Sequence, residues 1–135
     1  MMVTAGERFA RALADKDDAA LSALLADRID FEALTPGRHW KAATPGEVVK
    51  GIILGHWFGV GDHIDRLCSF TTGCVAGREH VAYRVQVRRG DGDYLVEQQA
   101  YYSVDDAHIT WMRVLCSGYQ AVREDCPAAA NGPVT

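Results

Sequence analysis

The chain has 135 residues and a formal net charge of −4, with 48% of its residues apolar and 24% charged. That is enough for one domain with a substantial core, and a net negative chain without a basic cluster excludes nucleic acid and anionic membrane as main partners. No apolar run approaches the ~20 residues of a membrane span, and the first residues lack the apolar core of a secretory signal, so the chain reads as cytoplasmic.

Residues from about Thr4 to Ala14 place Phe9, Ala12 and Leu13 at helical spacing. Asp15-Lys16-Asp17-Asp18 interrupts, and Asp17 or Asp18 can cap a second helix with Ala20, Leu21, Leu24 and Leu25 as its apolar stripe. Ile29 to Leu34 reads as a short strand ended by Thr35-Pro36-Gly37. Thr44-Pro45-Gly46-Glu47 is a capping box, with Thr44 as N-cap, Pro45 as first helical residue and Glu47 as reciprocal partner. Val48, Ile52 and Trp57 continue that third helix.

Ile64 to Cys74 reads as a long strand, turning through Val75 to Arg78 into the clearest signal of the chain. From Val81 to Arg89, Val81, Tyr83, Val85 and Val87 alternate with Ala82, Arg84, Gln86 and Arg88, which is strand periodicity. A type I′ turn at Asp91-Gly92 sets Arg84 opposite Gln99 and Gln86 opposite Glu97. A further turn near Asp105-Asp106 leads into a last strand, Ile109 to Cys116, with Met112 and Val114 on the Arg84/Gln99 face and Trp111, Arg113 and Leu115 on the other. The domain therefore spans residues 1–122, and residues 123–135 form a flexible C-terminal tail.

Helices followed by consecutive strands make this an α+β chain without βαβ crossovers. Large apolar side chains on both faces of the last strands predict that one sheet face lies over the helices and the other meets a second subunit. Four cysteines, Cys68, Cys74, Cys116 and Cys126, show neither a CxxC pair nor a metal spacing. Six residues of strand rise hold Cys68 and Cys74 ~20 Å apart, too far to bridge. All four read as free thiols of a reducing compartment. The five histidines lack HxH or HxxxH spacing and no glycine-rich phosphate loop follows a strand, so neither a metal nor a cofactor is expected.

Phe9 through Asp27, the strand around Glu32, the capped helix at Thr44 and the closing run Tyr101 to Ile109 resemble the NTF2-like superfamily, and within it the SnoaL-like, ketosteroid-isomerase-like branch. The resemblance implies a conical barrel, three N-terminal helices packed in a curved antiparallel sheet, with a pocket inside the cone and dimers formed through the outer sheet face. Alternation alone makes the valines of the Val81 strand the core face. The resemblance points the other way. Ketosteroid isomerases and SnoaL-type cyclases carry a cavity-facing carboxylic acid where this chain has Gln99, and limonene-epoxide-hydrolase relatives carry Arg-x-Asp on a cavity-facing strand where it has Arg84-Val85-Gln86. The pocket is therefore expected on the Arg84, Gln86, Glu97, Gln99 and Tyr101 face.

Each catalytic set implied by the resemblance is broken. Ala33 stands at the isomerase general base, Phe9 at the oxyanion tyrosine and Gln99 at the second aspartic acid, and the epoxide-hydrolase aspartates are Gln86 and Val114. An amide orients a carbonyl but removes no proton. Glu97 is the surviving acid/base candidate with Arg84 as its charge partner, and an ordinary cross-strand ion pair is the competing reading. Gln86, Gln99, Tyr101, Met112, Val114, Phe9, His56 and Trp57 are the expected substrate-binding residues, with His56-Trp57 at the cone's mouth. Two functions follow. One is a pocket protein for a small apolar metabolite, of isomerase, cyclase or dehydratase type. The other is a non-catalytic dimeric module that binds a ligand or a protein.

Overall fold

The computed structural model describes residues 3–122. Helix α1 (Ala5–Ala14) starts where the Thr4 hydroxyl accepts the Glu7 N–H at 3.0 Å. Helix α2 (Asp18–Leu24) starts where the Asp17 carboxylate accepts the Ala20 N–H at 3.0 Å. These caps satisfy N–H groups that have no partner within their own helix. Phe9 and Leu13 of α1 and Leu21 of α2 face the core.

Strand β1 (Leu25–Thr35) follows α2 without a loop. It is longer than Ile29–Leu34 because Leu25 already pairs with Ile109. Strand β2 (Arg38–Ala42) returns along β1 across Pro36-Gly37. The expected loop around His39-Trp40 is thus a strand, too short for its alternation to announce it.

Helix α3 (Glu47–Trp57) is a π-helix rather than an α-helix, and the Phe58 N–H donates to the Ile53 carbonyl at 2.8 Å. Its capping box is present with a shifted reciprocal bond: Glu47 N–H reaches the Thr44 hydroxyl, and the Glu47 carboxylate accepts from Ala43 N–H. A Cβ on Gly55 would collide with the Lys50 carbonyl, so only glycine fits that turn. At roughly 4.4 residues per turn, i→i+5 winding puts residues 48, 52–53 and 57 on one stripe. Val48, Ile52, Ile53 and Trp57 are accordingly buried, while His56 is exposed.

Five strands complete the sheet: β3 (His63–Val75), β4 (Arg78–Arg89), β5 (Gly92–Asp105), β6 (His108–Cys116) and β7 (Gln120–Ala121). The order is β2-β1-β6-β5-β4-β3, with β7 on β5. The expected α+β arrangement of three helices against a curved sheet is present, with the sheet open and mixed instead of wholly antiparallel, because β1 runs parallel to β6.

The hairpin register also differs from expectation. Arg89 pairs with Gly92, so the turn is Gly90-Asp91, and Arg84 faces Glu97 instead of Gln99. A two-residue shift keeps every side chain on its face. Between β5 and β6 the correction is odd. Ser103 pairs with Trp111 but Val104 with Ile109, so Thr110 is an extra residue and everything beyond it changes face. Met112 and Val114 therefore join Val85 inside, and Trp111, Arg113 and Leu115 join Arg84 outside.

The inner face is the valine face. Val81, Val85, Val87 and Ala100 are fully buried, and α1 lies against β3 and β4. The expectation that the Arg84/Gln99 face lines the interior is overturned, and alternation alone pointed the right way. Burying four apolar side chains is favourable by about 1.5–3 kcal/mol for each large one, whereas burying Arg84 and Glu97 would cost two desolvated charges. The valine side cannot meet a second protomer, because helices cover it.

Cys68 is disulfide-bonded, correcting the expectation of free thiols, whereas Cys74 and Cys116 are free. The strand-rise argument had excluded only a Cys68–Cys74 bridge. This bond removes the support that the cysteines lent to a reducing compartment. Cys126 and the tail assigned to residues 123–135 lie outside the described residues.

Candidate functional site

Among the described residues two concavities bear on function, one on each side of the sheet. The outer one is a groove of about 470 Å³, lined by His80, Arg84, Glu97 and Gln99 among others. Arg84, Glu97, His80 and Gln99 are already matched in pairs. Arg84 Nε donates to Glu97 Oε2 at 2.8 Å, and His80 Nε2 donates to Gln99 Oε1 at 3.0 Å. Glu97 keeps 54% of its side chain exposed, so the pair is the ordinary cross-strand one, of the kind that contributes about 0–1 kcal/mol. Tyr101 stacks on His80 on this same face at 4.7 Å, and Gln86 is buried on it. Arg84, Gln86, Glu97, Gln99 and Tyr101 are thus together as expected, but outside the cone.

The inner cavity measures about 400 Å³ and opens where the β1–β2 turn, the end of α3 and the β6–β7 segment meet. Phe58, Val96 and Pro36 give it apolar walls, with His56, Trp57, Gln98 and Tyr119 as its main polar groups. Trp57 and Gln98 are 7% and 1% exposed, yet Trp57 Nε1 and Gln98 Nε2 have no hydrogen-bond partner among the described residues. An orphaned buried donor costs about 1–3 kcal/mol, and such groups are rare in folded proteins. Both residues line this cavity, and Gln98 lines the outer groove as well.

Each donor is held in place. The π winding of α3 turns Trp57 inward, and Trp40 meets it edge-on at 6.1 Å and 89°. Gln98 is the one non-aromatic polar side chain on the inward run Val96, Gln98, Ala100, Tyr102. Its Oε1 accepts from the Tyr83 hydroxyl at 2.5 Å. Burial, and to a lesser degree Cys116 beside it, raises the Tyr83 pKa well above the usual phenol value, so Tyr83 stays a donor. Turning the amide over would strand that buried O–H without its acceptor, at about 1–3 kcal/mol. The Gln98 NH₂ therefore remains unpaired.

At the rim, the Tyr119 hydroxyl donates to the Trp57 carbonyl at 2.6 Å, and the Arg89 guanidinium lies 3.5 Å over the Tyr119 ring. Burial first, then the negative charge of Asp62, pushes the Tyr119 phenol up. Burial would also raise the Asp62 carboxyl, but Arg89 and the Gly59 N–H hold it below the usual range. These contacts tie the Gly59–Asp62 loop to the mouth. His56 Nδ1 lies 2.8 Å from the Gly51 carbonyl, which can only accept. The ring proton of neutral His56 is therefore on Nδ1, leaving a lone pair on Nε2.

Of the expected binding residues, His56 and Trp57 border this cavity. Phe9, Met112 and Val114 instead lie in the packed core, Phe9 against Tyr83 at 6.2 Å. Gln98, Tyr83 and Tyr119 were missed. Gln98 was detectable: it is the single polar break in an apolar alternation, once the valine face is taken as the inside. No three His, Cys, Asp or Glu side chains gather as a metal site among the described residues.

No family model and no curated protein matches this sequence. Solved structures do match. A candidate isomerase from Bacillus subtilis superposes with a TM-score of 0.68 at 13% identity, over 84% of this chain and 84% of its own. A Catenulispora acidiphila protein with a ketosteroid isomerase-like fold, in complex with trimethylamine, gives 0.67 at 11% identity, covering 87% and 88%. An LEH-like epoxide hydrolase from M. tuberculosis gives 0.61 at 17% identity, covering 84% and 80%.

Proposed function

Since the chain has the NTF2-like, ketosteroid-isomerase-like cone, we propose that it binds a small apolar molecule in the cavity at the cone's mouth, with Trp57 and Gln98 as polar anchors. The observation that carries this is that two residues lining one apolar hollow each hold a buried, unpartnered N–H donor. Ligand pockets combine apolar walls with a few fixed polar groups, and a ligand oxygen would recover the hydrogen bonds that folding leaves unmade.

No carboxylate borders the cavity among the described residues, and His56 is its one imidazole. Isomerase, cyclase or dehydratase chemistry there would run through His56 Nε2, so binding is the reading we favour over catalysis. The test uses 1-indanone, an apolar bicycle with a single carbonyl, and indane, its hydrocarbon counterpart. Indanone should bind saturably, move the Trp57 indole N–H resonance downfield, and bind about tenfold more tightly than indane. Failure of both molecules to saturate would end this reading.

We assign self-association to the outer sheet face, where Leu34 and Leu115 are paired neighbours 53% and 55% exposed. Light scattering should show a dimer that Leu115→Glu dissociates; an unchanged mass for the variant, or a monomeric wild type, counts against it.

A further inference from the structure

We propose that the inner end of the cavity admits hydrogen-bond acceptors and rejects donors, and that Tyr83, without reaching the ligand, sets this preference through Gln98. The inference rests on the binding reading above and names the chemistry of what is bound.

A Trp indole nitrogen has a proton and no usable lone pair, so Trp57 can only donate. An amide can present either end, and here that choice is made by Tyr83. Its hydroxyl occupies Gln98 Oε1, which leaves the NH₂ as the end without a partner. Gln98 and Tyr83 are both buried, so water cannot compensate a reversed amide. The two buried polar side chains that line the cavity are thereby donors of fixed sense. The free lone pair of His56 lies at the exposed mouth, where His56 keeps its Nδ1 bond to Gly51.

The ligand class follows from that polarity. A ketone, aldehyde, ester or carboxylate fits when it enters oxygen first with its apolar body behind, and a donor is tolerated only at the His56 end. A ligand that leads with an N–H lacking an acceptor lone pair would set donor against donor in a water-poor site, which disfavours it strongly.

Two nearly isosteric bicycles separate the outcomes: 1-indanone, an acceptor without a donor, and indole, a donor without a conventional acceptor. Titrations followed by the Trp57 indole and Gln98 side-chain amide resonances should show wild type preferring indanone by about tenfold or more. In Tyr83→Phe the ring stays and the lock is gone, so the amide can offer its oxygen. Indanone should weaken, indole should tighten, and the preference should fall towards about one; a merely structural role for Tyr83 would weaken both together. Gln98→Met gives a second reading that does not require Tyr83→Phe to fold: with the NH₂ removed, indanone should weaken, indole should not weaken with it, and the preference should narrow. Equal affinity of wild type for both bicycles overturns the polarity while leaving the cavity as a binding site. A preference that survives Tyr83→Phe unchanged overturns the role of Tyr83. Absence of binding by either bicycle overturns the site itself.

Discussion

The double replacement Tyr83→Phe with Gln98→Leu is expected to make the ligand-free protein more stable, by about 1–2 kcal/mol, while abolishing the preference of the cavity for a carbonyl over a hydrocarbon. Removing both partners of a buried hydrogen bond in favour of apolar groups of similar shape is close to neutral. What remains is the relief of the orphaned Gln98 Nε2–H, worth about 1–3 kcal/mol before the cost of imperfect repacking. The single variant Gln98→Leu should not share the gain, because it leaves the Tyr83 hydroxyl buried without its acceptor. Chemical denaturation of the three variants measures the stabilities, and competition between 1-indanone and indane measures the preference. A double variant less stable than wild type that still prefers indanone would show that Gln98 is a structural residue. Stability given up at a binding site is a recognised signature of function.

The second large effect lies at the contact between α1 and the sheet. The Gly6 N–H donates to the Tyr102 hydroxyl at 2.7 Å. A Cβ on Gly6 would stand 2.6 Å from that oxygen and 2.8 Å from Val81 Cβ. Neither neighbour can retreat, because Tyr102 and Val81 are fully buried. Gly6→Ala would gain up to about 1 kcal/mol of helix propensity. It would lose more by overpacking, about 1–3 kcal/mol, together with about 1 kcal/mol from the displaced hydrogen bond. The clash prevails. A net loss of about 2 kcal/mol should appear as a melting temperature lowered by roughly 8 °C. Gly46→Ala, where an added Cβ meets nothing within 4 Å, should change stability by less than about 0.5 kcal/mol. Equal melting temperatures for wild type and Gly6→Ala would mean that α1 does not sit this close to β4 and β5.

Most local structure was legible. Asp17 and Thr44 announce helix starts through side chains that accept backbone N–H groups, as Thr4 also does in the structure, and those bonds span three residues. The turn at Ala76-Gly77 and the one at Asp106-Ala107 have positive φ at both central residues, a requirement of the turn itself. The alternation through Val81 to Val87 named the buried face correctly. The family resemblance argued against it, because it set Gln99 at the cavity acid of the isomerases, and Gln99 faces outward while its neighbour Gln98 is buried. A step of one residue moves a side chain through the sheet.

Apart from the short strand β2 and the position of the turn between β4 and β5, then, the sequence by itself determined the three helices, the long strands in their order and which residues share a face along each strand. These depend on contacts a few residues apart. Only the tertiary structure decided the parallel pairing of β1 with β6, the extra residue at Thr110 and the wide winding of α3, and with them that Met112, Trp57 and Gln98 point inward. Side chains on a strand alternate with a period of two, so the face that a distant strand presents depends on register counted across the whole ladder. That count is made by packing between segments far apart in the chain, and a single inserted residue reverses it.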